Sequence, residues 1–191
     1  MRSFWLLIGF LLNFSFPSGF GNVTLLPVLG FSFMLYAVLR MEKLEAAFRR
    51  VRYALYASIP LGALMLAVQI AMSVSASASA VLEVPYLIVR IACELSEYTV
   101  MFFFYVGIKI IGANAEVPQL EKQSSRNMTV MAIYAISFIF ITIMRYLAPA
   151  SFNGFEVVIV YPFALGYIWR ALNVYTAYTL LTKIQVSRQD C

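Results

Sequence analysis

Apolar residues form six runs along this chain, separated by short polar or turn-forming segments. A helix needs about 20 apolar residues to cross roughly 30 Å of hydrocarbon. The pattern therefore predicts an all-α, polytopic membrane helix bundle with six transmembrane helices, built as a single domain over residues 1–191. The predicted spans cover residues 3–16, 23–40, 53–72, 84–111, 127–147 and 155–182.

The first run, residues 3–16, admits two interpretations. It is short for a span, and the basic residue Arg2 in front of it is typical of the start of a signal peptide. The following Phe16-Pro17-Ser18-Gly19 contains no clean small-x-small cleavage site. We therefore interpret the run as a span that continues into a loop, with a cleaved signal as the alternative.

The segments between the runs predict the connections. Residues 73–80 alternate serine with small residues and predict a flexible outer loop, and the polar residues 112–126 predict the largest inner loop. Between these two loops the fourth helix is expected to begin near Pro85, since proline is tolerated in a first turn.

Residues 41–52 predict either an amphipathic helix at the membrane surface or a plain extension of the neighbouring helices. Leu44, Phe48, Val51 and Leu55 recur at helical spacing, while the basic residues lie between them. Such a pattern suits a helix whose apolar face enters the interface and whose cations meet anionic headgroups. Both alternatives stay open at this point.

Composition supports lipid as the solvent of this chain. Hydrophobic residues make up 62% of it and charged residues only 12%, with a mean hydropathy of +0.84. Soluble domains carry about 25% charged residues. A soluble domain of this size could not cover so much apolar side-chain surface, so the bilayer is the first expected partner.

The net charge of +5 is distributed as membrane topology requires. The segments 17–22, 73–83 and 148–154 contain no Lys or Arg, whereas the other ends of the apolar runs are basic. This is the positive-inside pattern, which predicts a multi-pass cell-membrane protein with both termini in the cytoplasm. It also explains the charge without nucleic acid. The basic residues at these ends are Arg2, Arg40, Lys43, Arg49, Arg50, Arg52, Lys109, Lys122, Arg126, Lys183 and Arg188.

Charged residues inside the apolar runs identify the candidate site. Arg90, Glu94 and Glu97 share one face of the fourth predicted helix, and Arg170 with Asn173 lies at a similar depth in the sixth. A charge in hydrocarbon costs roughly 2.5–3.5 kcal/mol on insertion scales, so such residues usually face a bundle interior. They predict either a polar cavity for a small ligand or for protons, or a salt bridge that fixes helix packing.

Known catalytic and cofactor motifs are absent from the sequence. The chain has no histidine, which removes histidine-dependent triads and the usual near-neutral proton switch. Its two cysteines, Cys93 and Cys191, suit neither a structural disulfide nor a zinc site. No P-loop, dinucleotide turn or nucleophile elbow occurs. We expect no enzyme, no metal and no cofactor.

The stretch Leu11–Arg40, with Asn22-x-x-Leu25-Leu26-Pro27-x-x-Gly30, resembles the opening of uncharacterised small multi-pass membrane proteins of clostridial-type Gram-positive bacteria. The later Gly107-Ile108-Lys109 before a charged segment ending at Arg126 is similar to theirs as well. Val28 stands where that family has an acidic residue. The resemblance implies a multi-pass membrane fold and carries no function.

Two functions are expected from these observations. The first is a small-solute binding, transport-component or sensing bundle with a charged site at mid-membrane. The alternative is a non-catalytic structural or regulatory membrane protein whose segments 41–52 and 112–126 dock a protein partner.

Overall fold

All regular structure in the described part of the chain is helical. The computed structural model describes residues 26–42, 46–74 and 76–147, together with Trp5, Ile8, Gly9 and Thr179. Within these residues there is no strand. They contain four long helices and a short 3-10 helix (Ala46–Phe48), with α1 at Leu26–Glu42, α2 at Arg49–Val74, α3 at Ala76–Asn114 and α4 at Pro118–Leu147.

The all-α prediction is confirmed for the described residues, and the prediction of six helices is not supported, because these residues contain four long ones. The predicted spans 3–16 and 155–182 lie outside the described part, except for its four isolated residues. The chain termini lie outside it too.

Helices α2, α3 and α4 are longer than predicted, and the predicted outer loop is wrong. Helix α2 ends at Val74 and α3 begins at Ala76, so the segment 73–80 is almost entirely helical. Alanine has the highest helix propensity and serine a middling one, so their alternation gives no barrier to a helix. Pro85 consequently lies inside α3 instead of near its start. With 39 residues, α3 is about 58 Å long at 1.5 Å per residue.

The predicted inner loop over 112–126 is also wrong, because only residues 115–117 separate α3 from α4. The Val117 N–H donates to the Gly112 carbonyl at 2.9 Å, and the Glu116 N–H donates to the Ala113 carbonyl at 3.2 Å. This is the Schellman pattern that ends many helices, and its left-handed position is occupied by Glu116 at a φ of 55°. The polar residues that follow are good helix formers, which explains why Pro118 already begins α4.

The link between α1 and α2 is not the predicted continuous amphipathic helix. Helix α1 ends at Glu42, and a separate 3-10 turn precedes Arg49. The Glu42 carboxylate lies 3.4 Å from Arg49 Nε and 2.9 Å from Arg52 Nη1. These ion pairs hold the end of α1 against the beginning of α2.

Helices α2 and α3 pack antiparallel, and the contact begins at the 3-10 helix. The Phe48 ring lies 5.7 Å from the Phe104 ring. A Cβ added to Gly107 would lie 3.2 Å from Phe48 Cε1, so the small residue lets the ring approach. Val51 and Leu55 are buried on the same face of α2. The described part of the predicted apolar face therefore packs into the bundle instead of lying on a membrane surface, and Leu44 lies outside the described residues.

Two residues of the first predicted span pack against α1. Trp5 stacks on Phe33 with 5.2 Å between ring centroids and meets Tyr36 edge-on at 6.0 Å. One turn later, a Cβ added to Gly9 would lie only 2.6 Å from the Gly30 carbonyl oxygen. Such a glycine-mediated approach is typical of helices that pack within membranes.

Much of the outer surface is apolar. Two helical stretches, Ala46–Val74 and Pro118–Met144, are long and apolar enough to cross a membrane, and only 17% and 11% of their apolar windows are buried. The core helix of a soluble protein would be mostly buried. Large apolar side chains that point outward include Leu64, Ile70, Ile88, Ile133, Ile136 and Phe140.

Basic side chains from all four helices lie at one end of the bundle. The Glu42 ion pairs join the end of α1 to the start of α2, the Phe48–Phe104 contact brings the end of α3 there, and the tight turn adds the start of α4. We call this the basic end; its basic residues are Arg40, Arg49, Arg50, Arg52, Lys109, Lys122 and Arg126.

The turn between α3 and α4 generates a first prediction. Replacing Glu116 by glycine removes the steric cost of a left-handed residue, and we expect it to stabilise the protein by about 1 kcal/mol. Thermal unfolding in detergent measures the change. Glu116→Gln controls for loss of the charge at a helix C-terminus, and Ala115→Gly, outside the left-handed position, should not stabilise. Equal melting temperatures for Glu116→Gly and Glu116→Gln would contradict the argument.

The approach of Gly9 to Gly30 generates a second prediction. A methyl at position 9 meets backbone, which cannot rotate away, so Gly9→Ala should cost about 1–3 kcal/mol of stability. Gly107→Ala is the graded comparison, because its methyl would meet only the Phe48 ring at 3.2 Å, and its loss should be smaller. Thermal unfolding measures both. A larger loss for Gly107→Ala would show that the Gly9 contact is not tight.

Candidate polar site on helix α3

Helix α3 packs against α2 and α4, and its buried face carries one acid. Cys93, Met101, Phe104 and Ile108 are buried at helical spacing, and Glu97 lies among them with only 4% of its surface exposed. Carboxylates are almost never fully buried without compensating partners. Glu97 is therefore a buried acid within the helix interface, and its depth in a membrane stays a prediction.

The other two residues of the predicted charged site on this helix are less buried. Arg90 and Glu94 are both half-buried, two turns and one turn before Glu97, respectively. Within the described part of the chain, no salt bridge joins Arg90 to either glutamate. The three residues share one side of α3 as their spacing predicts, but only Glu97 enters the tightly packed face.

Arg170 and Asn173, predicted to meet Glu97 from the last span, lie outside the described residues. Their contact with α3 stays a prediction.

A pair of hydroxyl groups joins α3 to α2 at Ser96, the residue that precedes Glu97. Ser96 Oγ donates to Ser58 Oγ at 2.9 Å, and Ser58 Oγ donates to the Ala54 carbonyl at 2.8 Å. Ser58 is fully buried in α2. The two bonds form a chain of donors that links α2 to α3 next to Glu97. Chained hydrogen bonds polarise one another, and an unpaired hydroxyl would be costly at this position.

Sequence reasoning missed Ser58. The signal was present, because Ala57 and Ser58 are small residues within an apolar run, and small or hydroxyl residues favour close helix contacts in membranes. Serines are frequent in this chain, however, and only the register of α2 against α3 distinguishes Ser58 from the others.

Two more buried polar residues lie on α4. Ser124 is 2% and Asn127 is 8% exposed, and both follow the spacing of Leu120 and Met131 on the face packed against α3. Sequence reasoning placed Ser124 in a loop and Asn127 at the first position of a span. Their burial shows that the polar segment after Pro118 belongs to the helix interface.

Among the described residues, no group of three or more His, Cys, Asp or Glu side chains is placed to hold a metal ion.

Comparison with known proteins gives no further guide to this site. The chain matches no protein-family model, no curated protein and no solved structure.

The serine pair generates a third prediction. Ser58→Ala and Ser96→Ala should each lower stability by about 1 kcal/mol, and the double variant should lose less than the sum, because the pair is lost only once. Thermal unfolding of the four proteins in detergent gives the coupling. Thr99→Ala is a matched control, since its hydroxyl donates only to the Leu95 carbonyl of its own helix. Strictly additive losses would mean that the two hydroxyls do not interact.

Proposed function

We propose that this chain is a multi-pass integral protein of a bacterial inner membrane. Two stretches long enough to span, their outward apolar side chains, and basic residues collected at one end all support this placement. The basic end lies in the cytoplasm.

The proposed bundle has six spans, with both termini on the cytoplasmic side. Residues 3–16 and 155–182 supply the first and last spans. The packing of Trp5 and Gly9 against α1 supports the first of these as a helix retained in the bundle.

The proposed activity is the binding of a small polar solute at the α3 site, as part of transport or sensing. The observation that carries it is the burial of Glu97 in a bundle whose exterior is apolar. An acid in hydrocarbon is costly and is usually found where a membrane protein handles a solute or proton. The site comprises Arg90, Glu94 and Glu97, with Ser58 and Ser96 beside them and Arg170 and Asn173 proposed from the last span.

The second candidate is a non-catalytic structural or regulatory membrane protein. The Ser58–Ser96 hydrogen bond favours this candidate. A buried polar contact can have no other role than to fix the register of two helices. In that case Glu97 would hold helices together, and no solute would bind. Neither candidate requires catalysis, a metal or a cofactor.

A ligand screen distinguishes the two candidates and is our fourth prediction. Purified protein in detergent is screened with amino acids, vitamins, nucleosides and polyamines, and binding is read as a raised melting temperature. We expect at least one class to stabilise the wild type and to have little effect on Glu97→Gln, which keeps the size of the side chain and removes its charge.

Glu83→Gln is the matched control, because Glu83 is an exposed glutamate of the same helix. It should keep the ligand response. A ligand whose effect survives combined loss of Glu94, Glu97 and Arg170 would rule out this site. If no solute class stabilises the wild type while Glu97→Gln melts at a lower temperature, the register role is favoured.

A further inference from the structure

The basic end carries more positive charge than its own acids neutralise. Among the described residues of this end, three acids accompany the seven basic side chains, while Lys43 and Glu45 lie outside the described residues. Glu42 is shared between two arginines, and Glu121 lies 3.9 Å from Lys109 with both side chains more than 40% exposed. Glu116 is exposed on the turn. The acids of this end are therefore occupied or fully solvated.

Three cations of the basic end are left for an outside partner. Arg50, Lys122 and Arg126 are exposed, and none of them forms a salt bridge with another residue of the described ranges. Arg40 forms none either, but its guanidinium donates to the Tyr36 hydroxyl and lies over the Tyr36 ring. Arg50 is at the start of α2, and the other two lie in the first turns of α4. These cations come from two helices that pack on the same neighbour, α3, so they are spread over the end of the bundle.

Exposed aromatic rings lie at the same end of the bundle, in contact with two other arginines of the basic end. Tyr53 and Tyr56 are 58% and 49% exposed one and two turns into α2, and the Arg52 guanidinium lies 5.0 Å from the Tyr53 ring. On α1 the Arg40 guanidinium lies over the exposed Tyr36 ring at 4.3 Å. Exposed tyrosines beside arginines are typical of the level at which a bilayer changes from headgroups to acyl chains.

We propose that the basic end binds anionic phospholipids, such as phosphatidylglycerol, through Arg50, Lys122 and Arg126. The inference rests on the proposed membrane insertion and goes beyond it, because insertion alone requires no preference among lipids. The phosphodiester supplies the negative charge for the free cations, and the glycerol and upper acyl chain cover Tyr53 and Tyr56. An acidic protein would satisfy the cations but would leave these rings without an apolar partner.

The test titrates the full-length chain, purified in neutral detergent, with phosphatidylglycerol, phosphatidylcholine or inorganic phosphate, and reads the melting temperature. We expect phosphatidylglycerol to stabilise far more than phosphatidylcholine, and high salt to weaken the difference. The combined variant Arg50→Gln, Lys122→Gln, Arg126→Gln should need roughly tenfold or more phosphatidylglycerol for the same shift.

The charge-preserving variant Arg50→Lys, Arg126→Lys is the matched control and should retain the preference. Glu121→Gln, which removes an acid from the same end, should strengthen it. Equal stabilisation by the two lipids, or a preference unchanged in the combined glutamine variant, overturns the proposal. A response to inorganic phosphate equal to that of phosphatidylglycerol overturns it in favour of a free-anion site.

Extraction of membranes with alkaline carbonate separates this inference from the proposed function. Wild type and glutamine variant should both stay in the membrane pellet. If the wild type stays there but responds equally to the two lipids, the lipid site alone is overturned. Release of the wild type would overturn membrane insertion, and the lipid inference with it.

Discussion

Helix α3 packs against α2 and α4 at the same time, and the rest of the described structure depends on these two interfaces. At the basic end Phe48 contacts Phe104 and Gly107, further along Ser58 meets Ser96, and on the other side the turn brings Leu120 against Gly112. Interdigitated side chains tolerate little displacement, so these contacts set the register of α2 and α4 on α3. That register determines which polar residues are enclosed.

Polar residues are enclosed between the helices, and apolar residues cover much of the exterior. Glu97, Ser58, Ser124 and Asn127 lie within helix interfaces, while large aliphatic side chains point outward. A protein in water would distribute these groups in the opposite sense, because water hydrates charges and expels apolar surface. Most of the basic side chains in the described part of the chain lie at the basic end, and most of these are exposed. The proposed solute site and the proposed lipid site thus lie in different environments of one bundle.

The sequence predicts that these segments are helical and which face of a helix is buried. It does not predict where the helices end. Phe48, Val51 and Leu55 are buried as their spacing indicates. The polar residues of the segment 112–126 predict a loop but form a helix, because glutamine, glutamate and lysine are good helix formers. The chain reverses within residues 115–117 instead, where Glu116 adopts a left-handed conformation that is unusual for glutamate.

The sequence by itself determined that the fold is all-α, where the apolar runs lie, and that basic residues cluster between particular helices. These properties follow from composition and from local periodicity. Only the tertiary structure decided that Glu97 is buried while Arg90 and Glu94 are less so, and that Ser58 is the partner of Ser96. Residues one turn apart on a helix lie on the same face, so the sequence around them gives nearly the same prediction of burial. Their environments differ through the neighbouring helix, whose register is set by contacts distant in the chain.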